Sequence, residues 1–283
     1  MLLNFTKENW MMVNIQDDAL DKISELSTLR GYKVVKSNEI IQKSRFQLNA
    51  QEQKIILYMI SKIKPNDGDF IIQDFRILEF CKVCGIENDS GSNYKTVKDT
   101  IKALADKSLW IVQDNGTEVL VRWINKAWVN KKSGTIKLRL DDDMKPYLLQ
   151  LSAKFTQYEL LYALAMPSQY SIRLYEILKS YEWKQLVIFD IDDLKRMLSA
   201  ENYARFPDFK RYVLDIAMRD INDLSDLTAK FEIIKVGRKF GKIKFYMQIK
   251  KDMDERLRTF DRIDKIINAK HPMNLLDKFG VES

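Results

Sequence analysis

Residues 229–251 read AKFEIIKVGRKFGKIKFYMQIKK. Two strand-like runs, Thr228–Val236 and Lys242–Ile249, flank a turn rich in glycine and cations, which predicts a β-hairpin. Lys230, Lys235, Arg238, Lys239, Lys242, Lys244, Lys250 and Lys251 are its cations, and Glu232 is its one acid. The stretch carries a net +7, equal to the whole chain's +7, so the other residues sum to zero. A helix followed by a basic hairpin is what a winged helix offers to a DNA duplex. The helix enters the major groove, the hairpin reaches a backbone or minor groove, and phosphates reward the charge by counterion release.

The preceding helix starts at Pro207, which suits a first helical turn, and runs through Leu224. At 100° per residue, Phe209, Val213, Ile216, Ala217, Ile221 and Leu224 share a face. Asp208, Arg211, Tyr212, Asp215, Met218, Arg219 and Asn222 are expected on the opposite face, with Lys210 at the flank. Arg211 is the candidate for a bidentate guanine contact and Asn222 for adenine. Arg205, Arg219, Lys210, Arg238, Lys239 and Lys242 complete the candidate DNA-binding set in this half. The competing account is a solvated helix face, and Asp208 and Asp215 are unfavourable near phosphate.

Upstream, the order of elements predicts a first copy of the same architecture. Val34–Lys36 reads as a strand, and Asn49-Ala-Gln-Glu52 is a capping-box signal opening a buried helix through Ile63. Phe70–Ile72 is expected as a strand, about Asp74 to Val83 as a helix, and Tyr94 to Leu109 as another. Trp110–Val112, Val119–Val121 and Thr135–Leu140 read as strands. In the second half Ser168 caps a helix through Leu178, Val187–Phe189 is a strand, and Ile191–Leu198 is a helix begun at Asp190. Matching starts lie at 50 and 168, 74 and 190, 93 and 207, a duplication of architecture without identity. The expected fold class is α+β: tandem winged helix-turn-helix domains, mostly helical with β-hairpin wings. The expected division is a leader (1–31) with one amphipathic helix over 17–29, a first domain (32–146), a connector (147–155), a second domain (156–251) and a tail (252–283). A capping signal at Thr156-Gln-Tyr-Glu159 predicts a connector helix in place of a flexible linker, so the domains are held at a defined angle.

The first domain's third helix buries Tyr94, Val97, Ile101, Leu104 and Ala105. Lys95/Asp99 and Lys102/Asp106 are i,i+4 pairs, so its outer face is nearly neutral. Lys95, Lys98 and Lys102 are candidates for positioning a DNA backbone rather than reading bases. Trp110, Trp123 and Trp128 are expected in the core or at an interface.

Composition excludes several chemistries. At 283 residues and 46% hydrophobic the chain can build two cores. No run is long and apolar enough to span a membrane, Lys7 and Glu8 interrupt a signal-peptide core, and two cysteines make no disulfide framework, which favours a cytosolic protein. One histidine, His271, argues against a zinc site with Cys81 and Cys84 and against a nickase needing paired histidines. Gly237-Arg-Lys-Phe-Gly241-Lys242 is too short for a phosphate loop and lacks its Ser/Thr. Asp141-Asp142-Asp143 reads as a turn with Asp143 capping a helix through Pro146. No cofactor and no catalysis are expected. The rival readings are a tandem winged-helix transcriptional regulator and a metal-dependent nuclease or primase relying on Asp142.

Val34-Val-Lys-Ser-Asn38-Glu39 with Leu48-Asn-Ala-Gln-Glu52-Gln-Lys54, Ser168-Gln-Tyr-Ser-Ile-Arg173-Leu-Tyr175-Glu-Ile-Leu178, Phe209-Lys-Arg211-Tyr-Val-Leu-Asp215 with Asp220-Ile-Asn222, and Ile234-Lys235-Val-Gly237-Arg238-Lys239 occur in that order. In these motifs the chain resembles the iteron-binding plasmid replication initiators over about residues 33–250. The resemblance implies binding of double-stranded DNA at direct and inverted repeats. It implies a homodimer that represses its own promoter and converts to a DNA-bound monomer. It also implies recruitment of a host initiator and the replicative helicase. In such proteins the first domain supplies the dimer contact and backbone contacts, and the second reads most of the bases.

Overall fold

The computed structural model describes residues 32–64, 67–86, 93–237 and 239–270. The amphipathic helix expected over 17–29 and the wing residue Arg238 lie outside the described residues.

The first half opens with β1 (Lys33–Ser37), α1 (Asn38–Lys43) and β2 (Ser44–Arg45). The long buried helix α2 (Ala50–Ser61) follows, and its capping box is formed as expected: the Glu52 N–H donates to Asn49 and the Asn49 N–H to Glu52. β3 (Gln73–Arg76), α3 (Ile77–Cys84), α4 (Asn93–Ala105), the hairpin β4 (Ser108–Val112) and β5 (Glu118–Arg122), and the hairpin β6 (Ile124–Asn130) and β7 (Thr135–Leu140) complete it. After α5 (Lys145–Leu148), β8 (Phe155–Glu159) and α6 (Leu160–Ala165), the second half runs α7 (Gln169–Ser180), β9 (Leu186–Asp190), α8 (Ile191–Leu198), α9 (Phe206–Phe209), a π-helical turn (Lys210–Leu214), α10 (Asp215–Leu224), β10 (Leu227–Val236), β11 (Lys239–Ile249) and α11 (Met253–Lys270).

The duplication is evident in the sheets. β7 lies between β3 and β6, and β11 between β9 and β10, so each half is a winged helix with its wing paired to the strand before the second helix. The first half differs by an inserted hairpin, β4–β5, which pairs with β2 in a separate sheet. Its wing is therefore β6–β7. The sequence reading missed β6, whose exposed Asn125, Lys126 and Asn130 hide its alternation.

Several boundaries move. Phe70–Ile72 is not a strand. Pairing to β7 begins at Gln73, which buries Gln73 and Phe75, and the Gln73 amide donates to the Met59 carbonyl at 2.9 Å. The next helix accordingly starts at Ile77 instead of about Asp74. α4 ends at Ala105 because Leu109 is consumed by β4, where it is fully buried. Asp143 is not the cap. Asp141 accepts from the Asp143 N–H at 3.1 Å, and Asp142 pairs with Arg139 and Lys145. The expected apolar connector helix is present as α6, directly after Glu159, but Thr156–Glu159 makes no side-chain cap for it. The segment is strand β8, antiparallel to β1, with Thr156 and Tyr158 turned inward. A local cap signal lost to a long-range pairing partner. Of the three tryptophans only Trp123 is core; Trp110 and Trp128 are 46% and 37% exposed.

The halves share one hydrophobic core, and α7 packs on β8, α1 and α2. A polar cluster is sealed into this seam. The Lys36 ammonium on β1 lies 2.7 Å from Glu176 on α7, and Tyr158 donates to the same carboxylate at 2.6 Å. Arg173 is 3.9 Å from Glu176 and donates to the carbonyls of Ser44 and Met197 at 3.0 and 3.2 Å. All four are at most 3% exposed. Burial pushes the Lys36 ammonium below its ordinary range, partly offset by Glu176, and pushes Arg173 down to about 10.

Residues 252–270, to which the sequence assigned no role, are mostly α11. Phe260 and Ile263 are buried, α11 packs against α10 and α6, and Arg262 pairs with Asp223 at 2.7 Å.

Candidate nucleic-acid interface

The expected helix of the second half is present, with Pro207 in its first turn. Phe209, Val213, Leu214, Ala217, Ile221 and Leu224 face the core. Its middle is not α-helical. Over Lys210–Leu214 the turn widens, and the Asp215 N–H donates back to the Lys210 carbonyl. Such π turns are rare and concentrate at functional sites because they redirect side chains. This one carries Arg211 and Tyr212, both exposed. The Arg211 guanidinium sits 5.3 Å from the Tyr212 ring, and among the described residues no carboxylate pairs with it. Tyr212 in turn stacks on Tyr203 at 6.3 Å.

The other candidates are differently placed. Lys210 is 2.8 Å from both Asp215 oxygens. Arg219 pairs with Asp220 at 2.9 Å, and Asp220 is itself buried, accepting from Ser171 at 2.6 Å. Arg205, largely exposed, lies 3.8 Å from Asp208. Met218 is buried, contrary to expectation, because the widened turn shifts the phase of the helix beyond it. Asn222 cannot serve adenine as it stands. Its amide donates to the Ala229 carbonyl at 3.0 Å and accepts from the Ala229 N–H at 2.8 Å, tying α10 to β10.

The wing is a long hairpin. β10 and β11 pair from Leu227/Ile249 to Val236/Lys239, with an irregularity at Ile234/Lys235. Gly237 at the tip has φ +63, a conformation that favours glycine. Gly241 is required for another reason: a Cβ there would lie 2.4 Å from a Val236 methyl carbon. Phe240 on the wing packs against Phe206 in the helix's first turn at 4.7 Å, with Lys235 5.7 Å from the Phe240 ring. Helix and wing are thus locked together, a contact the sequence reading did not find. The eight cations of the stretch do not act alike. Lys239 is exposed near the tip, Lys242 lies 3.6 Å from Asp190, and Lys250 is buried, donating to the Asn222 carbonyl at 2.5 Å and to Thr259 at 3.0 Å. Burial pushes the Lys250 ammonium down.

In the first half Lys95, Lys98 and Lys102 are exposed on α4 as expected. Of the two predicted pairs only Lys102–Asp106 closes, at 3.3 Å. Lys95 and Asp99 do not meet, which leaves Lys95 available to a phosphate. Among the described residues no cluster of three or more His, Cys, Asp or Glu could hold a metal.

Comparison with known proteins agrees with this architecture. Residues 33–179 match the family profile described as initiator replication protein, WH1, and residues 190–247 match that of initiator Rep protein, WH2. A replication initiation protein of Escherichia coli is 27% identical over 233 residues, covering 78% of this chain and 71% of that protein. The PI protein of Escherichia coli is 30% identical over 178 residues, 54% of this chain and 57% of that protein. Among solved structures, the Pi initiator protein in complex with iteron DNA superposes with a TM-score of 0.60 at 21% identity, covering 78% of this chain and 98% of that one.

Proposed function

The chain belongs to the initiator replication protein family, and from that premise we propose that it binds repeated sites in duplex DNA at a replication origin through both winged helices. The observation that carries the reading is Arg211, exposed on a π turn with no carboxylate partner among the described residues, on a helix locked to a basic wing. The complex of a Pi initiator with iteron DNA, a protein of the same two-domain fold, supports it. Arg211 reads bases. Lys239, Lys242, Arg205 and Arg219, with Lys95, Lys98 and Lys102 on the first half, hold the backbone. With Asn222 withdrawn, Tyr212 is the second candidate reader on the exposed helix face. Two domains on one face of the duplex span two successive major grooves, about 20 bp.

Arg211→Ala is expected to cost ~1–3 kcal/mol on the cognate site and little on random DNA. Lys239→Ala and Lys242→Ala weaken both alike and shallow the salt slope. Binding titrations of the three variants on both DNAs check this; equal losses on the two DNAs for Arg211→Ala would remove its reading role.

Recruitment of a host initiator and the replicative helicase belongs to the same proposal, as does self-repression by a dimer. We place the dimer contact within residues 33–145, and one exposed apolar pair there supports the reading. Trp110 and Leu120 form an exposed cross-strand pair at the β5 edge of the inserted sheet, apolar enough for protein contact. A direct repeat has no two-fold axis, so each repeat takes one protomer. Mass measurement on a single repeat should give one chain per duplex; two chains, unchanged on dilution, would mean that no dimer-to-monomer switch operates. We assign the chain no catalysis: Asp142, on which the nuclease reading relied, is taken up in ion pairs with Arg139 and Lys145. Among the described residues no helix is long and apolar enough to cross a membrane.

A further inference from the structure

The loop between α8 and α9, residues 199–205, leads directly into the helix that presents Arg211, and it is pinned at several points. The Lys195 ammonium, in a side chain only 8% exposed, donates to the carbonyls of Tyr203 at 2.7 Å and Ala204 at 3.3 Å and lies 5.5 Å from the Phe209 ring. Among the described residues no carboxylate forms an ion pair with it, so a buried cation is committed to two backbone carbonyls of this loop. Ser199 donates to the Phe46 carbonyl of the first half at 2.7 Å, and the Tyr203 N–H donates to the Ala200 carbonyl at 3.2 Å. A desolvated ammonium is a costly device for a loop that only connects two helices.

Held this way, Tyr203 is the middle of an aromatic series that runs from the core outward. Its ring meets Tyr170, at the start of α7, edge-on at 6.0 Å, and lies nearly parallel to Tyr212 at 6.3 Å and 28°. Tyr170 and Tyr203 are half-buried against the core, whereas Tyr212 is 46% exposed. The Arg211 guanidinium, 5.3 Å from the Tyr212 ring, ends the series. Consecutive residues on an α-helix do not face each other; on the π turn these two do. The outer end of the series buries little, so its effect is on direction and not on the core. A long side chain in water samples many rotamers, and a guanidinium against a ring samples few. A fork that must meet two acceptors of one guanine loses less entropy on binding when it is already aimed.

We propose that Tyr203 is a positioning residue for base reading: stacked on Tyr212, it fixes the direction in which Arg211 leaves the π turn. The role rests on the reading of Arg211 as the base reader. The test uses the full chain, the duplex repeat protected in the DNA flanking its gene, and a random duplex of equal length. Tyr203→Leu keeps much of the side chain's bulk and removes the ring. It should lower the ratio of cognate to random affinity about three- to tenfold, with affinity for the random duplex unchanged. Tyr203→Phe, which keeps the ring, should restore the ratio. In an Arg211→Ala background Tyr203→Leu should cost nothing further, because the two act as one unit. In the DNA-free, ¹³C-arginine-labelled chain the Arg211 δ-methylene signal is identified by its loss in Arg211→Lys. The ring current of Tyr212 should set it apart from the other exposed arginines, and Tyr203→Leu should move it toward them. Equal losses on both duplexes, a full additional loss in the Arg211→Ala background, or a Tyr203→Phe as poor as Tyr203→Leu would each overturn the inference. So would an Arg211 signal that already lies among the other arginines in the parent chain, an outcome that needs no folded variant. If Arg211→Ala keeps its discrimination, the reading of Arg211 fails and this role with it. If Arg211→Ala loses discrimination and Tyr203→Leu does not, the role of Tyr203 fails and the reading of Arg211 stands.

Discussion

Affinity for a cognate duplex is expected to fall ~10³–10⁵-fold between about 50 and 200 mM salt, if ~6–10 phosphates are contacted. The reason is the distribution of charge. The wing stretch alone carries the chain's net +7, so the field is concentrated beside the helix that presents Arg211. The structure also bounds the effect. Lys250 is buried and Lys210 is committed to Asp215. The phosphate contacts must therefore be completed by Lys239, Lys242, Arg205, Arg219 and the α4 lysines of the first half. Removing Lys95 and Lys98 together should reduce the slope of log affinity against log salt by about two units if both touch phosphates. A flat titration with the intact chain would eliminate the two-domain electrostatic contact altogether.

The second large effect is on stability. Glu176→Ala should destabilise the fold by about 3–5 kcal/mol, because it strands two buried cations at once. Glu176 is the one described carboxylate paired with Lys36 or Arg173, and Tyr158 also depends on it. Thermal melting should show a midpoint lower by on the order of 10 °C. Replacing both members, Lys36→Met with Glu176→Leu, should recover only the share of the loss due to Lys36, since Arg173 stays buried and charged without its carboxylate. A Glu176→Ala midpoint within a degree or two of the parent would mean that the cluster is already hydrated or discharged.

What could be read from the chain alone follows from how local each signal is. The capping box at Asn49 and Glu52, the Ser168 cap, Pro207 and the wing's charge act over three or four residues or over one element, and they were legible. Features set by distant partners were not. Thr156–Glu159 carries a cap pattern, but β1, more than a hundred residues earlier, recruits it as a strand. Phe70–Ile72 looks more strand-like than Gln73–Arg76, yet the register with β7 favours the latter. Lys36 and Glu176 read as ordinary surface charges until the two halves meet over them. In the site, the exposure of Arg211 was legible because helical projection needs only the sequence. That the Asn222 amide is taken up by the first residues of β10 was not legible, nor that Met218 turns inward, because a π turn breaks the 100° step on which projection relies. The Phe206–Phe240 contact joins two elements whose facing geometry no periodicity encodes.

The most direct test of the central claim is a nuclease footprint of the purified chain on the DNA flanking its own gene. The account predicts protection of repeated sites of about 20 bp each, spanning two helical turns, with protection lost in Arg211→Ala at concentrations that still coat random DNA. Uniform protection along the fragment, or none below the concentration that saturates random DNA, would contradict it.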